Sequence, residues 1–118
     1  MDKLDAMTEQ VRDFCNDRGW RKYHTPKELA IGMATESSEL LQLFRFMSDE
    51  RIAEMFEDTE QRQVIEDEVA DTLLFLLRFA DLNEIDLPAA LSSKLKCNGE
   101  RYPVDVSSNE YRKADHHE

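Results

Sequence analysis

The sequence predicts an all-α fold, a four-helix bundle-like subunit, on three observations. Apolar residues recur at helical spacing through most of the chain, as at Leu4, Met7, Val11 and Phe14. Helix-start signatures stand at Thr25-Pro26, Asp58-Thr59 and Asp86-Leu87-Pro88. The only three glycines, Gly19, Gly32 and Gly99, lie far apart, too few for a succession of hairpins.

The elements follow in order. A first helix covers Leu4 to Arg18 and ends at Gly19. A connector, Trp20-Arg21-Lys22-Tyr23-His24, carries the single Trp. At the second helix Thr25 can accept from a free backbone N–H, Pro26 has no donor to lose, and Glu28 can reach back. This helix is expected to run to about Met47, where Ser48-Asp49 stops it and caps a short helix through Phe56. A long periodic stretch runs from Glu60 to about Asn83, and a last helix from Asp86 to Asn98-Gly99. One domain over residues 1–104 is expected, followed by a polar tail over 105–118.

Composition narrows the function. The 26 acidic residues against 15 basic ones give a net charge of −11, which disfavours binding a nucleic-acid polymer. With glycines so scattered, neither a Walker loop nor a GxGxxG turn can be written. A phosphorylated ligand would therefore need a metal cation between it and the protein. The start, MDKLDAMTEQ, has no signal-peptide pattern, and no apolar run approaches the roughly 20 residues that span a bilayer. The expectation is a cytoplasmic protein that does not enter membranes. Cys15 and Cys97 lack CxxC spacing and are expected as two thiols.

Two acid pairs stand out, Glu36-x-x-Glu39 and Glu68-x-x-Asp71. At about 100° per residue, Leu29, Leu40, Leu43 and Met47 fall within about 40° of Glu36, with Glu39 near −60°. Around Glu68 the same construction gathers Val64, Thr72, Phe75, Phe79 and Leu82, with Asp71 near −60°. Each long helix thus aims one carboxylate at the core and one beside it. Arg78 falls on the acidic edge of its helix and Arg45 on the back, so no basic residue shares either stripe. Buried carboxylates are paired, neutralised or bound to metal. Hard oxygen donors without a built-in cation point to Mg²⁺ or Mn²⁺, with Ca²⁺ as a non-productive substitute. A solvated groove or an intersubunit salt-bridge site is the other reading. Absence of Glu-x-x-His and of HExxH argues against a di-iron centre and a zinc protease.

These fragments, in this order, resemble the MazG-like nucleoside triphosphate pyrophosphohydrolases of the all-α NTP pyrophosphatase superfamily, and within it the dCTP pyrophosphatase branch. The likeness runs from about Phe14 to Val104. It includes Trp20, His24-Thr25-Pro26, Glu36-x-x-Glu39-Leu40, Glu68-x-x-Asp71-Thr-Leu-Leu and Lys94-x-x-x-Asn98-x-x-Arg101-Tyr102-Pro103. The resemblance implies hydrolysis between the α- and β-phosphates of a nucleoside triphosphate, giving a monophosphate and pyrophosphate. It implies Mg²⁺ on Glu36, Glu39, Glu68 and Asp71, with Glu39 orienting the water. It also implies a substrate site from Trp20, His24, Phe46 and Phe75 for the base and Lys94, Asn98, Arg101 and Tyr102 for the phosphates. Phe46 stands where the branch commonly has Trp, and Phe75 where it has Tyr. A dUTPase-like phosphohydrolase and a non-catalytic helical module that binds nucleotide or metal are the alternatives.

A helix of about 22 residues is roughly 33 Å long, large for such a chain. Further apolar groups lie off the central stripes, at Ala30, Ala34 and Leu41 and at Leu73, Leu74 and Leu77. Burial on both sides, hence a homo-oligomer (dimer or tetramer), is expected.

Overall fold

The computed structural model describes residues 1–104; the expected polar tail, 105–118, lies outside the described residues. Among the described residues there is no strand. Five α-helices follow one another: α1 (Lys3–Asp17), α2 (Pro26–Phe44), α3 (Asp49–Glu57), α4 (Thr59–Leu82) and α5 (Leu87–Arg101), with a 3₁₀ turn at Trp20–Tyr23. The described residues divide into two compact units, 1–84 and 85–104.

Side-chain caps start every helix. Asp2, Thr25, Ser48, Asp58 and Asp86 each accept the backbone N–H three residues on, at 2.8 to 3.2 Å. Gly19 ends α1 with φ +65°, the left-handed geometry that costs glycine least, and its N–H reaches Asn16 O at 3.0 Å.

In the first unit α4 is the central helix and packs on α2, α1 and α3. Cys15, Leu29, Met55, Ile65, Leu77 and Ala80 form the core. Leu73 and Leu74 are half-buried, so the all-round apolar stretch of α4 is explained by neighbours on several sides. α2 and α4 run antiparallel. A Cβ built on Gly32 would fall 2.8 Å or less from three carbons of the Phe75 ring, so the ring lies directly on the α2 backbone. At their far ends, Arg12 of α1 grips Asp81 of α4.

The structure departs from the sequence expectation at three helix features. α2 ends at Phe44, before Met47, and the chain turns through Arg45-Phe46 with Met47 N–H on Phe44 O at 2.9 Å. No Gly or Pro marks that stop. It coincides with the stacking of Phe44 on Phe56 of α3, ring centroids 6.1 Å apart. Met47 therefore leaves the stripe and is exposed, and Val64, near the start of α4, is exposed as well. α5 continues through Gly99 to Arg101, because glycine within a helix costs only about 1 kcal/mol and Pro103 supplies the stop. Arg78 lies 1% exposed in the core, not on an acidic edge; the polar atoms of His24 and Asn16 receive it there.

In the second unit, α5 starts with the Asp86 cap and Pro88 in its first turn. Lys94, Asn98 and Arg101 share one face by their spacing of four and three.

Candidate metal centre

The antiparallel register of α2 and α4 brings the two acid pairs together. One carboxylate oxygen each from Glu36, Glu39 and Glu68 lies within 4.8 Å of the others. Glu36 and Glu68 are half-buried and Glu39 is exposed. Glu36 Oε2 and Glu68 Oε2 are buried atoms and have no hydrogen-bond partner among the described residues. Asp71 is exposed and close enough to act on both buried carboxylates, though it is not among the three whose oxygens converge.

The electrostatics follow from that crowding. Burial pushes the Glu36 carboxyl up to about 7, aided by the nearby carboxylates of Glu39, Asp71 and Glu68. Burial and Glu39 push Glu68 up as well. Like charges held this close favour a shared proton or a cation. All donors are hard oxygens, the set that Mg²⁺, Mn²⁺ and Ca²⁺ prefer. The orphaned oxygens fit such an ion, and Glu36, Glu39, Glu68 and Asp71 are the residues that could hold it.

The residues expected around a nucleotide are distributed along the unit. Trp20 stands edge-on to Phe14, with centroids 5.6 Å apart, and to His24, at 6.3 Å. His24 Nδ1 accepts from Arg78 Nε at 3.0 Å. Ten residues of α4 separate Arg78 from Glu68, about 15 Å of helix, so this aromatic group sits well along the bundle from the carboxylates. Phe75 lies between them, against Gly32. Phe46 follows α2 whereas His24 precedes it, so a 19-residue helix keeps the two apart. The Phe46 ring is 83% exposed, with the Arg45 guanidinium 4.8 Å from its centroid. In one chain, therefore, Phe46 does not join Trp20 and His24. On α5, Asn98 Oδ1 is a buried atom with no hydrogen-bond partner among the described residues, and the Arg101 guanidinium lies 5.4 Å from the Tyr102 ring.

A cavity of about 680 Å³ opens beside His24, lined by Asn16, Gly19, Arg21, Lys22, Thr25, Pro26, Leu82 and Asn83. Its charged lining is basic in a chain of net charge −11. Sequence reasoning missed Arg78 and Gly32. The available signal was a lone arginine inside the apolar run Leu73-Leu-Phe-Leu-Leu-Arg-Phe-Ala80.

An antiparallel helix pair that converges carboxylates defines an all-α domain with a cluster of hard oxygens that could hold a divalent ion. Comparison with known proteins narrows that class. No protein-family model matches the chain. It is 33% identical over 104 residues to dCTP pyrophosphatase 1 of Rattus norvegicus, covering 88% of this chain and 61% of the relative. It is 30% identical over 110 residues to dCTP pyrophosphatase 1 of Homo sapiens, covering 93% and 65%. The chain thus spans a little over three fifths of the length of these curated relatives. The crystal structure of a pyrophosphatase from Archaeoglobus fulgidus superimposes with a TM-score of 0.80 at 35% identity, covering 87% of this chain and 94% of that one. The chain belongs to the MazG-like, all-α pyrophosphatase family, and over most of its own length it is similar to the dCTP pyrophosphatases.

Proposed function

We propose that this protein is a nucleoside triphosphate pyrophosphohydrolase that depends on a divalent cation, Mg²⁺ with Mn²⁺ as substitute. It cleaves the α–β phosphoanhydride of dCTP or a related or modified deoxynucleotide, releasing a monophosphate and pyrophosphate. The observation that carries this reading is the pair of buried, unpartnered oxygens, Glu36 Oε2 and Glu68 Oε2, in a cluster of carboxylates. The dCTP pyrophosphatase relatives supply the substrate class.

Glu36 and Glu68, fixed by their burial, and Glu39 and Asp71 at the rim are the ligands. When bound, the ion supplies positive charge opposite the triphosphate and activates water for in-line attack. Glu39 orients that water, since its exposed carboxylate reaches the cluster from the open side. Trp20 and His24 take the base, and Phe75 holds α2 against α4 beside it. On one face of α5, Lys94 and Arg101 neutralise phosphate oxygens and the Asn98 amide donates to them, with Tyr102 beside them.

Assembly belongs to the same proposal. Ile31 and Leu41 on α2 and Val69 and Leu76 on α4 are exposed apolar side chains. A homodimer or tetramer would cover them. A second chain would also supply the Phe46 that one chain keeps away from Trp20. The setting is the nucleotide pool of the cytoplasm.

The test is a product assay. The purified chain is incubated with each dNTP and NTP, with Mg²⁺ or with EDTA, and the products are resolved. The expected result is metal-dependent monophosphate plus pyrophosphate, lost in Glu39→Gln and Asp71→Asn. Diphosphate plus orthophosphate would contradict the bond assignment, and no turnover with metal still bound would favour a binding module.

A further inference from the structure

We propose that Arg78 is a positioning residue: from the core it holds His24 as the neutral imidazole protonated on Nε2, giving the adjoining cavity a fixed N–H donor. The inference rests on three geometric facts. Arg78 is 1% exposed. Its Nε donates to His24 Nδ1 at 3.0 Å. His24 also lines the 680 Å³ cavity with Arg21 and Lys22.

The tautomer follows from donor chemistry alone. A guanidinium carries only donors and does not lose its proton in proteins. The atom facing Arg78 Nε must therefore be a lone pair, so Nδ1 is bare and the proton of the neutral ring sits on Nε2. Protonating Nδ1 would set two N–H groups against each other.

The surroundings act the same way. From α4 the charge facing His24 is Arg78, and from its own segment it is Arg21, both cations. Burial and these two groups hold the imidazole below its ordinary range. Asn16 Oδ1, on α1, receives the Arg78 Nη2 at 3.5 Å, and Asp81 on α4 feels the Arg78 charge while bonded to Arg12. Arg78 thus makes its short bond to an imidazole, and among the described residues no carboxylate is bonded to it. A buried charge so arranged is a poor stabiliser, because desolvation opposes it and no ion pair offsets it. Its effect is to order a side chain at a cavity edge.

The test is independent of turnover. The full chain, labelled with ¹⁵N-histidine, is titrated from pH 8 to pH 5 by NMR. The expected wild-type spectrum has a pyridine-like Nδ1 and a pyrrole-like Nε2, with imidazolium forming only below the ordinary value of about 6.5. Arg78→Met should mix the tautomers and move the titration up, and Arg78→Lys should restore part of the wild-type behaviour. A wild-type His24 carrying its proton on Nδ1, or titrating at or above the ordinary value, overturns the inference even if the variants do not fold. So does an Arg78→Met chain with native circular dichroism and an unchanged His24.

A kinetic arm rests on the proposed function. Arg78→Lys should raise KM roughly three- to tenfold with kcat nearly unchanged, the worth of one neutral hydrogen bond. If the wild type hydrolyses no nucleotide, that functional reading fails while the spectra still decide the role of Arg78.

Discussion

Arg12 and Asp81 join α1 to the end of α4 through a two-bond fork, Nε to Oδ2 at 2.9 Å and Nη2 to Oδ1 at 2.7 Å. They are 69 residues apart in sequence, so the fork closes the first unit. Its planar geometry matches a carboxylate better than a lysine could. The fork also sits beside the Arg78–His24 bond, and it neutralises an acid that would otherwise compete for Arg78.

The fork predicts a pH signature. The bonded Arg12 guanidinium holds the Asp81 carboxyl below its ordinary range. A carboxyl lowered in the folded state stabilises above its unfolded value of about 3.9, and the benefit is lost as pH falls through the lower folded value. Asp81→Asn should therefore lower Tm by a few degrees at pH 7, and the difference should close below about pH 4. Thermal melts of both chains across pH 2 to 8 check this.

Gly32 and Phe75 predict a steric coupling. Gly32→Ala places a methyl where the Phe75 ring lies, and overpacking of this kind costs about 1–3 kcal/mol, offset by roughly 0.8–1 for the better helix former. A net loss near 1 kcal/mol is expected. Phe75→Leu should relieve it, so the double variant should be more stable than the sum of the single effects. Denaturant melts of the four chains measure the coupling directly.

Much of this was legible in the sequence, and the boundary has physical causes. Thr25-Pro26, Ser48-Asp49 and Asp58-Thr59 announce their helices because capping is local, decided within four residues. The convergence of Glu36 with Glu68 was legible too, since both sit centrally on apolar stripes that must face each other. Arg78 was not. A helical wheel gives a direction but not a depth, and α1 and His24, brought in from far along the chain, lie on that direction. The stop of α2 at Phe44 coincides with an aromatic stack with α3, again a contact no local pattern encodes. The distance between Phe46 and Trp20 has the same origin: a resemblance aligns residues, while the chain's own geometry decides which of them meet.

The two thiols should differ in access. Cys15 is fully buried, and burial pushes its thiol up, whereas Cys97 is exposed. A thiolate reagent at pH 8 should label one cysteine of the native chain quickly and the second only after denaturation. Peptide mapping should find the first label on Cys97.

The carboxylate cluster predicts a trade between stability and ion binding. Glu36 is pushed up to about 7 in the metal-free protein, against about 4.3 in an unfolded chain. A carboxyl raised on folding is bound more tightly to its proton in the native state, so metal-free stability is greatest below about pH 4.3 as far as this group is concerned. It declines as pH rises, and the loss is complete once pH passes the folded value near 7. A divalent ion replaces the proton, so its affinity should rise over that same interval. Glu36→Gln removes the charge but keeps the shape. In EDTA at pH 8 this variant should melt about 4 °C above the wild type, the shift expected of roughly 1 kcal/mol. Mg²⁺ should raise the wild-type Tm and leave the variant unmoved, and nucleotide hydrolysis should fall at least about a hundredfold in the variant. A Glu36→Gln chain that is less stable than the wild type in EDTA at pH 8 would mean that Glu36 is held by a structural partner, and the cluster would lose its strongest physical claim to a metal.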